Sequence, residues 1–461
     1  MNAKLQDTSC WRKDALMSYI LMLFRLDTSG TLAPAMFSLA QITTNQYKTM
    51  SKLTTYMYAV CLVSAVACRR EDAPELTPSA ANAKRQTTVS VSDVLQEVNA
   101  NIIIGAAVNS NKFSNATYKN LAKLHYNSIT AENDMKMNSL NPAKYTWDFG
   151  ILGNGIEEKN EKIPNLAKDN GEKRIHGHTL IWYRALPQWV KDVETNTPVA
   201  QRADTLEAIM KRHIFKTVAF YSNNYKDGNP LLPLLKSWDV VNEAYYDDGT
   251  LRGNYNPDAS GEDQGSIWKR YMGEVYIEKA FRYARQAARA NQNWKLKLFY
   301  NDYGHEYSTA KLNAIYNKVM ALKALTEGGD PIINGVGMQM HIRWNTPLAN
   351  IKAAIQKMKE TGLFVHIAEL DISLLSPGET TVPLAELSNR RTLQKSLYYN
   401  VAKAYQEIVP VSQRWGITLW NIDDADSAWG TNAEATLFDT SYNKKLNFWN
   451  FRDGLNLNIT P

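Results

Sequence analysis

Short apolar runs of strand length recur eight times along the chain, and segments with helical spacing separate most of them. The runs span 102–108, 126–132, 174–182, 237–244, 295–303, 335–342, 364–372 and 415–422. Because buried parallel strands read as short apolar runs, each of these predicts a strand. Apolar residues three or four positions apart predict helices over 205–225, 267–291, 309–327, 347–361 and 389–408.

A strand followed by a helix, repeated eight times, indicates an α/β fold of the (β/α)8 TIM barrel type over residues 91–461. The alternative is a doubly wound open sheet, which usually carries a Gly-rich turn after its first strand. Gly105 stands alone in that region without a G-x-G-x-x-G pattern, and this disfavours the open sheet. We therefore predict a barrel preceded by an N-terminal signal and tether.

The N-terminal region has the pattern of an export signal. Residues 50–68 combine Lys52, a short apolar run and small residues directly before Cys68, which is typical of a bacterial lipoprotein signal with Cys68 lipidated. Residues 69–90 are polar and contain Pro, so they predict a flexible linker. Met50 is a sensible start, which makes 1–49 a candidate for a non-native or mis-started extension.

We therefore expect an exported protein, held at a bacterial cell surface or on the outer membrane as a lipoprotein. The alternatives are a cleaved signal, which gives a secreted or periplasmic protein, and a buried helix of a cytosolic protein.

Composition excludes several classes of function for the predicted barrel. The three cysteines, Cys10, Cys61 and Cys68, all precede it, so a disulfide, a Cys-based metal site and thiol catalysis are excluded there. Ten of the 52 Lys and Arg residues and six of the 46 Asp and Glu residues lie before residue 91. The remainder is close to neutral without a basic stripe, so we predict no nucleic-acid partner.

Polar or aromatic side chains follow almost every predicted strand. In a TIM barrel the chemistry lies where the strands end, and buried ionisable groups are costly without partners. Their convergence therefore predicts a polar active-site cavity. The candidates are Glu132, Asn133, Lys136, His178, Trp182, Asn242, Glu243, Tyr303, Gln339, His341, Glu369, Asp371, Trp420 and Trp429.

Two of these carboxylates, Glu243 and Glu369, follow the residues 238–242 of the fourth strand and 364–368 of the seventh. Paired carboxylates without a cluster of metal ligands indicate glycoside hydrolysis. One acts as acid and base, while the other attacks the anomeric carbon or, in an inverting enzyme, activates water.

A zinc site is the alternative interpretation of the histidines. His176 and His178 form an H-x-H pair, and His341 lies on another predicted strand. The first strand lacks the H-x-H pair that zinc-dependent amidohydrolase barrels carry there, so we predict no metal and no other cofactor.

Seven segments together resemble glycoside hydrolase family 10, the retaining endo-1,4-β-xylanases, over about residues 92–456. The segments are TAENDMK (130–136), GHTLIW (177–182), WDVVNEA (238–244), YNDY (300–303), GVGMQMHI (335–342), HIAELDI (366–372) and LWNIDDADSAW (419–429). The resemblance implies a TIM barrel and net retention of anomeric configuration.

The resemblance also implies roles for single residues. It makes Glu243 the acid/base, Glu369 the nucleophile and Asn242 the residue that holds the sugar 2-hydroxyl. The other implied contacts in the substrate site come from Glu132, Asn133, Lys136, His178, Trp182, Tyr303, Gln339, His341, Trp420 and Trp429, with Asp371 orienting His341.

The chain departs from the family pattern at several positions. Met137 stands where Trp is usual, Ala185 where Gln is usual, and Ala368 where Thr or Ser precedes the nucleophile. These departures concern the detail of substrate binding. We predict a retaining endo-1,4-β-xylanase, a monomer acting on xylan and xylo-oligosaccharides. The alternatives are a β-1,4-glucanase, an exo-acting xylosidase and a non-catalytic xylan-binding surface protein.

Overall fold

The computed structural model describes residues 91–149, 166–167, 173–224, 234–253 and 265–456. The predicted extension 1–49, signal 50–68 and linker 69–90 lie outside the described residues and stay predictions. In the described ranges, no helix has both the length and the apolar character needed to cross a membrane.

Eight parallel strands close into a barrel. Each strand pairs with its neighbour in chain order, and the last pairs with both the seventh and the first. This closure confirms the predicted TIM barrel. The strands are β1 (Ile104–Val108), β2 (Ser128–Ala131), β3 (Arg174–Gly177), β4 (Leu235–Asn242), β5 (Lys297–Asp302), β6 (Gly335–Met338), β7 (Phe364–Ser373) and β8 (Arg414–Leu419).

Helices precede the first strand, separate the strands in the chain and follow the last strand. Their α-helical bounds, within the described residues, are Leu95–Val98, Ala116–His125, Met137–Leu140, Gln188–Lys191, Val193–Asn196, Arg202–Asn224, Ile267–Met272, Val275–Ala290, Thr309–Lys323, Leu348–Lys359, Leu384–Ile408 and Leu446–Leu455. Additional short strands are Thr326–Glu327 paired with Asp330–Pro331, and His341–Arg343 beside β7.

The helix Val275–Ala290 shows how the outer layer is held. Its apolar side chains Ile277, Phe281, Ala284 and Ala288 recur at three- or four-residue spacing and are fully buried. Burying a large apolar side chain of this kind stabilises the fold by about 1.5–3 kcal/mol. The outer layer therefore follows directly from the helical periodicity of the sequence.

Several predicted elements differ from the observed ones. The predicted helix 309–327 ends at Lys323, and Thr326–Glu327 forms a short strand. The third strand ends at Gly177, and the chain beyond it continues beside β4 through a backbone hydrogen bond of 3.0 Å from Ile181 N to Val240 O. The predicted helix 267–291 breaks at Gly273, whose φ of 67° cannot continue a right-handed helix. The sixth strand divides at Met340, which has a φ of 59°.

The inside of the barrel contains polar side chains that contact one another across it. Trp415 on β8 donates its Nε1–H to Ser237 Oγ on β4 at 3.2 Å, and these strands lie on opposite sides. The rings of His176 on β3 and His366 on β7 also meet, with centroids 4.8 Å apart. Buried polar groups require such partners, so these contacts fix the cross-section of the barrel below the active site.

Candidate active site

Glu243 and Glu369 lie at the same end of the barrel and are 9% and 4% exposed, respectively. Two amide side chains connect them. Asn242 donates to Glu243 Oε1 at 3.1 Å, and its own Oδ1 accepts from Asn301 Nδ2 at 2.9 Å. Asn301 Nδ2 also donates to Glu369 Oε1 at 2.6 Å. A short chain of hydrogen bonds thus sets the positions of the two carboxylates relative to each other.

The carboxylate of Glu243 accepts hydrogen bonds on both oxygens. Trp182 Nε1 donates to Oε2 at 2.9 Å, and Gln339 Nε2 donates to Oε1 at 2.9 Å. The residue has a φ of 53°, a left-handed conformation that is uncommon outside glycine. Its backbone N donates to Asn301 O at 2.9 Å, which holds this turn at the end of β4.

Glu369 is surrounded by groups that favour its ionised form. His341 Nε2 lies 3.2 Å from Oε2, and His178 Nδ1 lies 3.9 Å from Oε1. Burial alone would raise the pKa of Glu369, but His178 and the hydrogen bond from His341 outweigh it and hold the pKa below its ordinary value. Glu369 is therefore a buried anion.

His341 lies between two carboxylates. Its Nδ1 is 2.9 Å from Asp371 Oδ2, opposite the contact with Glu369. Burial works to lower the pKa of His341, but Asp371 and Glu369 raise it well above its ordinary value, so the ring carries a proton on both nitrogens. Asp371 is held in turn by Trp429 Nε1, which donates to its Oδ1 at 2.8 Å.

The H-x-H pair points at one carboxylate. His176 Nε2 and His178 Nδ1 each lie 3.0 Å from Asp239 Oδ2 on β4. Burial would raise the pKa of Asp239, but His176 and His178 hold it far below its ordinary value. Among the described residues, no group of three or more His, Cys, Asp or Glu is placed to hold a metal ion. The two histidines are thus explained as partners of Asp239.

Aromatic rings form part of the wall around the two carboxylates. The Trp420 ring meets His178 edge to face with centroids 5.4 Å apart, and it meets His341 at 6.0 Å. Trp182 lies 5.1 Å from Lys136 Nζ, measured to the ring centroid. The structure therefore brings all three tryptophans predicted for the site (182, 420 and 429) into contact with its polar residues.

The predicted site residues after β2 extend the cleft beyond Trp182. Lys136 Nζ donates to Asn133 Oδ1 at 2.9 Å. Burial lowers the pKa of Lys136, although Glu369 and Glu132 oppose the shift. Burial and the nearby Asp426 raise the pKa of Glu132. Carboxylate, amide and ammonium groups thus face one region, as ligand hydroxyl groups require.

Tyr303 lies beyond the end of β5, next to the strand that carries Glu243. Its hydroxyl group accepts from Arg252 Nη2 at 3.1 Å, and Lys311 Nζ lies 3.1 Å from its ring centroid. Lys311 is itself buried beside Asp302, with Nζ 3.2 Å from Oδ1. Tyr303 is therefore held by Arg252 and Lys311, and β5 lies on the other side of β4 from β2, the strand that Asn133 and Lys136 follow.

Two residues that connect the site were absent from the predicted set. Asn301 links the two carboxylates, and Asp239 holds the two histidines. Both had a signal in the sequence. Asn301 lies in the YNDY segment, and Asp239 interrupts an apolar run, where a buried carboxylate requires a partner.

Comparisons with known proteins show to which family the chain belongs. Endo-1,4-beta-xylanase A of Thermoanaerobacterium saccharolyticum is 32% identical over 348 residues, covering 75% of this chain and 26% of that protein. Exoglucanase XynX of Acetivibrio thermocellus is 32% identical over 353 residues, covering 76% of this chain and 28% of that protein. The chain thus spans about a quarter of the length of these two relatives.

A solved structure of a xylanase 10C variant from Cellvibrio japonicus, in complex with xylopentaose, matches with a TM-score of 0.64 and 30% identity. It covers 79% of this chain and 69% of that chain. Residues 90–453 match the family model described as Glycosyl hydrolase family 10. The chain therefore belongs to glycosyl hydrolase family 10.

Proposed function

We propose that the chain hydrolyses internal β-1,4-xylosidic bonds of xylan with retention of anomeric configuration. The observation that carries the proposal is the pair of carboxylates, Glu243 and Glu369, joined by two amide side chains but given different partners. A double displacement needs two carboxyl groups with two different roles. Membership of the family and the similarity to proteins named as xylanases support xylan as the substrate.

Glu369 acts as the nucleophile. It is ionised because His341 and His178 outweigh the effect of burial on its pKa. Asn301 holds Oε1 at 2.6 Å, which fixes the direction of the carboxylate. Attack on the anomeric carbon forms a glycosyl–enzyme ester at Glu369 and releases the leaving-group oxygen, which takes a proton.

Glu243 acts as the acid in the first step and as the base in the second. It gives its proton to the leaving-group oxygen and later removes a proton from the attacking water. Trp182 and Gln339 hold its two oxygens at 2.9 Å each, so its direction is set before substrate binds. Such pre-orientation lowers the entropic part of the barrier.

The cleft matches a chain of pyranose rings. Trp182, Trp420 and Trp429 offer flat apolar surfaces to the C–H faces of sugars. Glu132, Asn133 and Lys136 offer hydrogen bonds to hydroxyl groups on one side of Glu243, and Tyr303 stands on the other. Sugar-binding residues on both sides of the scissile bond support cleavage within the polysaccharide and not only at its ends.

A β-1,4-glucanase is the second candidate function. One relative of 32% identity is named an exoglucanase, and this name favours a glucan as the second candidate substrate. Glucose differs from xylose by a hydroxymethyl group on C5, and the cleft must accept or reject that group. Relative rates on the two polymers therefore decide between the candidates.

We predict that the wild-type protein releases reducing sugar from glucuronoxylan much faster than from soluble cellulose. The Glu369→Ala variant should lose at least about 10³-fold of the rate on xylan, because no other group in the site replaces the nucleophile. Glu407→Ala, which removes an exposed carboxylate on the helix Leu384–Ile408, is the matched control and should retain activity.

Cleavage of cellulose without cleavage of xylan would favour the glucanase. Binding of the protein to xylan without cleavage of either polymer would favour a non-catalytic xylan-binding protein. If the shortest xylo-oligosaccharides are the only early products, exo action replaces endo action.

A second prediction concerns pH. Replacing His341 by Gln removes the cation next to Glu369, so burial should raise the pKa of that carboxyl group. The acidic limb of the kcat/KM profile should then move to higher pH. Asp371→Asn, which weakens the charge on His341, should move it less and in the same direction. A loss of kcat/KM that is equal at every pH would contradict this electrostatic role.

We also propose that Cys68 is lipidated and attaches the enzyme to a bacterial cell surface, with residues 69–90 as the spacer. The support is the sequence pattern of residues 50–68. One acyl chain gives only marginal membrane binding, so firm attachment requires further acyl groups on the same residue.

The expected result in a bacterium that processes lipoproteins is incorporation of labelled palmitate into wild type and Cys61→Ser, but not into Cys68→Ser. Membrane fractions should contain the first two and lack the third. Equal labelling and equal partition of Cys68→Ser would overturn the proposed anchor.

A further inference from the structure

A second concave site lies outside the cleft, and none of the residues assigned to the reaction contributes to it. This rim pocket has a volume of about 360 Å³, within the range of small-molecule sites. Its walls include Tyr145, Trp147, Trp189, Asp192, Asn196 and Arg212.

The rim pocket lies close to the cleft along the chain and in space. Its walls come from the segments that follow β2 and β3, which begin at the catalytic end of the barrel, and from the helix Arg202–Asn224. The one-turn helix Met137–Leu140 separates Lys136, at the cleft, from Asn141, at the pocket. Such a helix is about 6 Å long, so one polymer can reach both places.

Tyr145 is the most unusual residue of the rim pocket. Its side chain is 66% exposed although it is a large aromatic ring. Its φ is 64°, a left-handed conformation that costs a non-glycine residue of order 1 kcal/mol. The guanidinium of Arg212 lies 4.6 Å from the ring centroid and holds the ring in place. A strained, exposed and supported aromatic ring points to binding.

The two tryptophans of the pocket are fixed by their neighbours. Trp147 stacks on Phe149 with centroids 5.4 Å apart and on His213 with centroids 5.8 Å apart. Trp189 donates its Nε1–H to Asn141 O at 2.9 Å. Ligand binding therefore costs little side-chain entropy in these rings.

The polar groups of the pocket suit the hydroxyl groups of a ligand. Its two cations, Lys144 and Arg212, both lie over the Tyr145 ring, and the carboxylate of Asp192 offsets one of the two positive charges. Asp192 and the exposed Asn196 offer an acceptor and an amide to hydroxyl groups. Aromatic faces beside carboxylate and amide groups are the same combination that lines the catalytic cleft.

We propose that the rim pocket binds a further segment of the xylan backbone and keeps the polymer near the cleft. This inference rests on the proposed function, because it takes xylan as the substrate. Tyr145 supplies the exposed stacking surface, Trp147 and Trp189 supply the fixed apolar walls, and Asp192 and Asn196 bind sugar hydroxyl groups.

The test uses the full chain with Glu369→Ala, so that bound polymer is not cleaved, and measures retention on insoluble linear xylan. Tyr145→Gly should raise the apparent Kd by about 3- to 10-fold, the loss expected for one aromatic stacking contact. Glycine adopts the φ of 64° without strain, so this variant should not lower Tm. Tyr145→Trp should keep most of the binding.

Trp294→Ala is the matched control. Trp294 is 60% exposed and also lies under a guanidinium, with Arg289 at 5.3 Å, but it precedes β5 at the opposite end of the barrel. This variant should bind xylan as tightly as the Glu369→Ala chain without further change. If Tyr145→Gly in that background is retained on xylan equally well, the rim pocket is not a xylan site, even if wild type cleaves xylan. Failure of wild type to cleave xylan would instead contradict the proposed function itself.

Discussion

Keeping Glu369 ionised while almost fully buried is the constraint on which the rest of the site depends. An isolated buried carboxylate would take up a proton, since desolvation penalises its charged form. Here the penalty is offset by His178, 3.9 Å from Oε1, and by the protonated His341, 3.2 Å from Oε2. His341 needs a counter-charge of its own and obtains it from Asp371. One buried charge thus organises several neighbouring side chains.

The same constraint reaches into the barrel. His178 lies near Glu369 and is held by Asp239, which also holds His176. His176 contacts His366 on the opposite strand, at the level where Trp415 reaches Ser237. The polar interior is therefore continuous with the site above it. The closed barrel makes this continuity possible, because strands that are distant in the chain bring their ends to one place.

Much of this arrangement could be predicted from the sequence, because it depends on periodicity and on strand ends. Apolar runs of strand length assigned Glu243 and Glu369 to the fourth and seventh strands. In the structure Glu243 directly follows β4, whereas Glu369 lies inside β7, which continues to Ser373. Breaks within single helices and strands were harder to predict. The apolar pattern of 267–291 runs through Gly273, and only its positive φ divides the helix. Asn301 shows another limit of prediction from sequence. The apolar pattern reveals that a strand ends in polar residues, but it does not reveal which two side chains a residue at that end will connect.

In the proposed mechanism, Glu369 forms a covalent bond with the sugar. The most direct measurement is mass spectrometry after incubation with a 2-deoxy-2-fluoro-β-xylobioside that carries a good leaving group, which forms the intermediate quickly and hydrolyses it slowly. We expect one added fluoroxylobiosyl group per chain, located on the peptide that contains Glu369. Turnover without any adduct, or an adduct on another residue, would contradict it.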